Sequence, residues 1–253
     1  MKEVLNPEQV ERYEREGYVV VPDLLTEPEI AAFLAHKEQQ EGYGLHGHCM
    51  DPQYRYLAMH PRIAGGVWQL LGGQPRIVQT MLLDKGPQGG RGIALHQDCH
   101  YLPNEPNTLM ACWLALTDTD PDNGGLCVVP GSHRDGLYPT HKARDEREHV
   151  AWETEHLMRD RNGREWNQRL VSFEIDDLDP SRLLRLTVRR GAGVFFTGLT
   201  IHGSFANRSA DRPRTAFAIH YIHKDTWLFR TDVQDAMLVE LAPQVSREND
   251  SGG

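Results

Sequence analysis

The side chains best suited to chemistry in this sequence are the triplet His96-Gln97-Asp98 and the distant His202. In an extended strand, residues i and i+2 project to the same side. His96 and Asp98 would then aim an imidazole and a carboxylate at one point, and the apolar Ile93-Ala94-Leu95 run leads directly into them. With His202 as a third ligand, the set is two histidines and a carboxylate, the triad that holds Fe(II) and leaves positions open for a cosubstrate and O2. A bare His-x-Asp also arises as an ordinary polar pair, and spacing alone does not bring His202 to His96. His202 ends a β-like run from Phe195 to Ser204 that contains Gly198 and Gly203. Glycines there would permit close backbone approach to a cofactor.

Arg214 is an independent indicator. If 214–222 is a strand, one face carries Arg214, Ala216, Ala218, His220 and Ile222, and the other Thr215, Phe217, Ile219 and Tyr221. Two alanines beside an arginine leave space. An arginine in a roomy interior needs an anion, because an unpaired buried charge is costly. A guanidinium pairs with a carboxylate through two parallel hydrogen bonds, so a dicarboxylate cosubstrate would fit. The alternative is a surface salt bridge. Other histidines are weaker candidates. His46-Gly47-His48-Cys49 has zinc-binding residue types but no partner spacing. His133 reads as a turn residue, and His141, His149 and His156, in a charged stretch, are expected to be solvated.

Several elements must position these groups. Asn6-Pro7-Glu8-Gln9 predicts a helix start, with Asn6 capping and Gln9 bonding back, and Gly17 ends that helix. A short β-rich run, Tyr18 to Val21, follows. Thr26-Glu27-Pro28-Glu29 opens a second helix reaching about Gln40, and a third covers 61–71, closed by Gly72-Gly73. Beyond these, β-like runs recur at 76–84, 93–96, 109–116, 126–129, 183–188, 193–196 and 214–222, separated by Gly, Pro and Asn clusters. That pattern predicts a sandwich or barrel. The segment 135–179 is dense in charge and lacks clean alternation, so it reads either as a partly helical flap near the barrel mouth or as a solvated excursion. The tail from Ser246 to Gly253 reads as frayed.

The bulk numbers narrow the classes. A chain of 253 residues fits one domain, here 1–253 with the flap-like insertion at about 135–179. A net charge of −9 argues against a general nucleic-acid partner, which needs a basic footprint. The longest apolar runs are too short to span a bilayer, and the first residues carry no apolar signal region. Four cysteines with no CxxC pair suit a reducing cytoplasm. A small-molecule substrate is the expected partner; the oligomeric state is left open.

Five ordered blocks carry a resemblance. They are Asn6–Ile30 with Gly17-Tyr18-Val19-Val20-Val21-Pro22, His96-Gln97-Asp98 with Tyr101-Leu102, and Trp113-Leu114-Ala115-Leu116. Next come Asn123-Gly124-Gly125-Leu126 with Pro130-Gly131-Ser132-His133, then His202-Gly203-Ser204 with Asn207 and Arg212-Pro213-Arg214. Together they resemble the phytanoyl-CoA hydroxylase-like family of Fe(II)/2-oxoglutarate dioxygenases, over most of the chain. The resemblance implies a mainly β fold, a double-stranded β-helix (jelly roll) core with flanking helices. It implies His96, Asp98 and His202 as iron ligands, Arg214 as the clamp on the distal carboxylate of 2-oxoglutarate, and Ser204 and Trp113 as helpers. The stretch after Asn207 is one residue longer than the commonest family form, so Arg212 competes with Arg214. It also implies hydroxylation with succinate and CO2 as coproducts. Desaturation, epimerisation or ring closure are open on the same ligands, whereas halogenation is disfavoured because Asp98 fills the position a halide would need. Substrate-facing candidates are Gln79, Met81, His100 and Tyr101, with Cys99 and Asn107 beside them. Two other readings compete: a non-catalytic jelly-roll binder, and a zinc hydrolase on the same three ligands, which would need a further general base.

Overall fold

Local capping fixes the first elements of the computed structural model, which describes residues 3–39, 42–145 and 147–240. Asn6 Oδ1 accepts from Gln9 N at 2.9 Å and Asn6 N donates to Gln9 Oε1 at 2.9 Å, the reciprocal box that starts α1 (Pro7–Glu16). Gly17, at φ 77°, ends it. Strand β1 (Tyr18–Val21) follows, then α2 (Glu27–Lys37), opened by the same device between Thr26 and Glu29. The expected end of α2 at Gln40 and the tail from Ser246 lie outside the described residues. Two short helices, α3 (Gly47–Met50) and α4 (Pro52–Ala58), precede α5 (Pro61–Leu71), which Gly72 closes.

The strands then run β2 (Pro75–Lys85), β3 (Ile93–His96), β4 (Asn104–Glu105), β5 (Met110–Ala115), β6 (Leu126–Val128) and β7 (Thr140–Lys142). They continue with β8 (Glu153–Arg159), β9 (Glu165–Val171), β10 (Phe173–Ile175), β11 (Leu184–Arg185), β12 (Gly193–Thr197) and β13 (His202–Ser204). The last are β14 (Arg214–His223), β15 (Trp227–Leu228) and β16 (Met237–Leu238). Two antiparallel sheets form the jelly roll. The larger has the order β1-β12-β5-β14-β2-β16 and the smaller β11-β6-β13-β3.

The period-2 alternation of β5 and β14 divides the interior. Cys112, Leu114, Phe217, Ile219 and Tyr221 face the helices and pack with Phe33, Tyr54, Leu57, Ile63 and Val67. Ala111, Trp113, Ala115, Ala216 and Ala218 face the smaller sheet and pack with Leu126, Val128 and Phe196. The helices therefore seal one side of the large sheet, while small residues keep space open on the other.

Two expectations change here. The 135–179 segment holds no α-helix among its described residues; it pairs β7 with β10 and folds β8 and β9 into a hairpin. Its alternation is hidden because most of the hairpin is exposed and only Met158 and Leu170 are buried within it. Cross-strand charge, such as Arg159 on Glu165 at 2.8 Å, substitutes for an apolar face. The hairpin is anchored to the C-terminal region through Arg159 N to Phe229 O and Thr231 Oγ1 to Leu157 O. The run expected at 183–188 contracts to the two residues of β11 plus a bridge between Thr119 and Val188.

Candidate active site

His202 and His96 are cross-strand partners on β13 and β3, which is how residues more than a hundred positions apart meet. The register shifts between His202 and Ser204, where the ladder is irregular. Gly203 is required by that approach: a Cβ there would lie 2.7 Å from the Ile93 carbonyl oxygen. The glycine thus admits the neighbouring strand, and it also lines the recess beside the cluster. Strand β3 stops at His96 and Asp98 opens a 3-10 turn, but Gln97 keeps extended angles (φ −117°, ψ 131°). The i, i+2 alternation therefore carries through to Asp98. Gln97 points the other way and is tied by Gly136 O, Leu199 O and Tyr138 N.

The donor atoms of His96, Asp98 and His202 all lie within 4.8 Å of one another, and all three residues are buried. Asp98 Oδ1 is 3.5 Å from His96 Nε2 and 3.7 Å from His202 Nε2. Each histidine gives its other nitrogen to a backbone carbonyl: His96 Nδ1 to Ala94 O at 2.7 Å, His202 Nδ1 to Thr200 O at 3.0 Å. Those carbonyls only accept, so both Nδ1 atoms carry the proton and both Nε2 lone pairs face the cluster, the tautomer a metal needs. Burial pushes His202 down to about 4, so its imidazole is neutral at ordinary pH. Burial alone would raise Asp98, but the His220 and His202 imidazoles beside it, with hydrogen bonding from His220 and His96, outweigh it and hold the carboxyl well below its usual range. The second oxygen, Oδ2, is held by His220 Nε2 at 3.0 Å.

The recess around this cluster runs to Arg214, past Ser204, Trp113, Ala218, Leu126 and Phe196. Arg214 is 2% exposed and forms no ion pair among the described residues. Its Nε donates to Gly124 O and Nη1 to Leu83 O, leaving the other guanidinium N–H groups for a ligand, and its charge lies over the Trp113 ring at 5.9 Å. Burial lowers its pKa to about 10. Arg212 is excluded from the recess: it is half-exposed and paired with Asp120 and Asp122.

Lys85, the cross-strand partner of Arg214, is a second buried cation that the sequence reading missed. Its Nζ lies 3.2 Å from Gly124 O, 2.8 Å from Ser204 Oγ and 2.6 Å from Phe205 O. Burial and the charge of Arg214 push it down to about 6. The three oxygens favour the ammonium and the desolvation favours the amine, so its proton is poised. When Lys85 is charged, Ser204 Oγ accepts from Nζ and from Ile93 N, and its own hydroxyl can only donate. That end of the recess then offers donors and no acceptor, which suits a carboxylate.

A larger chamber of about 540 Å3 opens from the same cluster on the side of the β8–β9 hairpin. Gln79, Met81 and Tyr101 line it, as expected; His100 does not, since its Nε2 is bound to Tyr138 O and its ring packs on Phe173. Cys99 and Asn107 also stay out of it and bond to each other at 3.5 Å. His156 lines the chamber and His149 is buried, against the expectation that both are solvated, while His141 is half-buried on Asp176. The folded insertion encloses them. His48 is no metal ligand here: its ring lies on the Thr80 hydroxyl at 3.3 Å, with burial lowering it to about 4. His133 is structural, bound to Glu14 O. His220 was legible only as a neighbour of Arg214 on one strand face; nothing in the sequence ties it to Asp98.

The family model described as Phytanoyl-CoA dioxygenase (PhyH) matches residues 1–216. The chain belongs to the phytanoyl-CoA dioxygenase family. It is 28% identical over 256 residues to the peroxisomal phytanoyl-CoA dioxygenase of Rattus norvegicus, covering 88% of this chain and 70% of the rat protein. The chain spans about two thirds of the length of the curated relatives it matches. Among solved structures, it is similar to the epimerase SnoN in complex with Fe3+, alpha ketoglutarate and nogalamycin RO. That match has a TM-score of 0.65 and 25% identity, over 88% of this chain and 85% of SnoN. It is also similar to the non-heme alpha ketoglutarate dependent carbocyclase SnoK from nogalamycin biosynthesis, with a TM-score of 0.65 and 27% identity over 93% of this chain and 97% of SnoK. No helix among the described residues of this family member is long and apolar enough to cross a membrane.

Proposed function

We propose that this chain is a single-domain Fe(II)- and 2-oxoglutarate-dependent oxygenase that hydroxylates a small organic molecule. His96, Asp98 and His202 hold the metal; Arg214 and Ser204, beside Trp113, hold the distal carboxylate of 2-oxoglutarate. The observation that carries this reading is a buried guanidinium with no ion pair among the described residues, in the same recess as a buried His/Asp/His cluster. The donor set fits the metal: two neutral imidazoles and one ionised carboxylate, with the tautomers fixed from behind.

When bound, the metal and 2-oxoglutarate supply the oxidising chemistry, activating O2 as 2-oxoglutarate is converted to succinate and CO2. The chain's residues bind and orient. His220 fixes one Asp98 oxygen so that the other faces inward. Arg214 and Ser204 set the direction of the cosubstrate, and Ala216 and Ala218 leave room for it. Leu126 and Phe196 give the recess apolar walls. The β8–β9 hairpin walls the substrate chamber, where Gln79, Met81 and Tyr101 meet the substrate. The four free cysteines accord with a reducing compartment such as the cytoplasm.

The test is anaerobic titration of apo-protein with Fe(II) and 2-oxoglutarate, read by the visible charge-transfer band of the chelate. We expect a band in the wild type that Asp98→Ala abolishes. A folded, metal-loaded protein without the band refutes the proposal and moves weight to a ligand-binding jelly roll. A second outcome of the same chemistry, epimerisation or ring closure, draws support from the likeness to SnoN and SnoK. Product mass separates them: one added oxygen for hydroxylation, no change for epimerisation, loss of two hydrogens for ring closure.

A further inference from the structure

The insertion turns one face of its chain to the metal centre. Val150, Trp152, Thr154 and His156 alternate along the sequence and line the chamber. Glu153 and Glu155, between them, lie on the outside, where Glu153 pairs with Lys142 and Arg169. Trp152 and Val150 are each 40% exposed. With Tyr101 and Phe173 they form a contiguous apolar patch on the wall of a chamber of about 540 Å3, the kind of surface that marks a ligand site.

The aromatic part of that wall is built and held before a ligand arrives. The Tyr101 ring lies 5.3 Å from both Trp152 and Phe173, at 41° and 35°, and it also lies 5.3 Å from the ring of His96. The wall therefore begins at the candidate ligands and ends at the half-open Trp152. Ser172 Oγ accepts from Trp152 N at 2.8 Å, and Ser172 N donates to Trp152 O at 3.0 Å. Phe173 N donates to the Tyr101 hydroxyl oxygen at 2.8 Å, which ties the insertion to the turn that follows Asp98. A flexible apolar chain gains little from such fixed rings beyond burial. A planar conjugated body adds offset stacking, and its own rigidity leaves little freedom to lose on binding.

We infer that the chamber takes a substrate with a planar conjugated ring body, stacked on the Tyr101, Trp152 and Phe173 wall, and that Trp152 is the residue that selects it. This rests on the oxygenase reading above and names the substrate class of the same site.

A matched pair of probes tests it: 2-naphthylmethanol and its fully saturated decalin counterpart. The two share a hydroxymethyl group and a carbon skeleton and differ in planarity and conjugation. Each is titrated by calorimetry under argon into protein loaded with Fe(II) and 2-oxoglutarate and, separately, into metal-free protein. Burial alone gives the planar alcohol no advantage, so its preference reports stacking. We expect it to bind about three- to tenfold tighter, the size of one aromatic pair. Trp152→Leu, which keeps an apolar side chain, should bring the ratio near one. Trp152→Phe should keep most of it, and Glu153→Gln, on the outer face, all of it. Equal binding of the two probes by the wild type, tighter binding of the saturated one, or no binding of either overturns the inference. An unchanged ratio in a folded Trp152→Leu also overturns it; should that variant not fold, the wild-type ratio decides. Failure of the oxygenase reading is separate: the chelate band is missing while the preference for the planar alcohol persists in metal-free protein.

Discussion

Replacing Arg214 by Met separates a binding role from a structural one. In the protein without cosubstrate, the guanidinium is buried with two carbonyl partners and no ion pair among the described residues. Methionine keeps much of the side-chain volume and removes a desolvated charge, so the loss of two hydrogen bonds is largely offset. Lys85 still bonds Gly124 O, so one of the two abandoned carbonyls keeps a partner. The thermal midpoint of the unliganded variant should therefore move by only a few degrees, a change of about 1 kcal/mol. The cosubstrate complex is different. Truncating one partner of a buried, hydrogen-bonded charge pair costs about 2–5 kcal/mol, roughly 30-fold to several thousandfold in affinity. Arg212→Ala is the control: its exposed pair with Asp120 is worth about 1 kcal/mol or less, and it has no path to the recess. The assay is anaerobic isothermal titration of 2-oxoglutarate into Fe(II)-loaded protein, beside thermal melts with and without 2-oxoglutarate. Arg214→Met should lose the ligand-induced rise in melting temperature that Arg212→Ala retains. A larger loss of 2-oxoglutarate affinity in Arg212→Ala refutes the assignment, and a collapse of the unliganded Arg214→Met protein refutes the view that Arg214 is spared for a ligand.

Other outcomes follow from the same geometry. Burial holds Lys85 down at about 6, so in the unliganded protein it is largely neutral at pH 7 to 8; a dicarboxylate beside Arg214 should raise it, and binding should take up a proton. Calorimetry in buffers of different ionisation enthalpy would show the uptake, and Lys85→Met should abolish it. The sign for stability is fixed: the unfolded lysine protonates near its ordinary value and the folded one only near 6, so Lys85 costs the unliganded fold stability as pH falls through that window and nothing further below it. Lys85→Met should remove that slope from urea-melt midpoints. His220→Ala should free the Asp98 Oδ2 and weaken Fe(II) binding by about 10–100-fold, as loss of a partner behind a ligand does, measured by competition with a colorimetric chelator. Replacing 153–171 with a short glycine linker should leave the chelate band in place and remove substrate-coupled succinate release, because the hairpin touches the chamber and not the ligands. Equal loss of both would mean that the hairpin is needed for folding.

What sequence alone determined was whatever local chemistry dictates. The boxes at Asn6/Gln9 and Thr26/Glu29 and the stop at Gly17 are decided within a few residues, since the groups that satisfy one another are adjacent along the chain. The alternation of 214–222 assigned Arg214, Ala216 and Ala218 to one face and Phe217, Ile219 and Tyr221 to the other, because strand period is a backbone property. The His96/Asp98 pair was legible for the same reason, with Gln97 carrying the extended geometry past the end of the strand. Tertiary structure alone decided the rest. The pairing of His202 with His96 is a register between strands over a hundred residues apart, and the burial of Arg214 rather than Arg212 depends on which one meets Asp120 at the surface. Lys85 reads as an ordinary strand-end lysine until β14 and the loop at Gly124 bury it beside Arg214. His220 reads as an interior histidine until the turn at Asp98 folds under it. The hairpin at 153–171 is not legible in the sequence because its strands are held by backbone pairing and cross-strand charge, and neither leaves an apolar period in the chain. The division is physical: a residue's own conformation is set by its neighbours in sequence, whereas its burial, its partners and its proton are set by segments that reach it only when the sheets close.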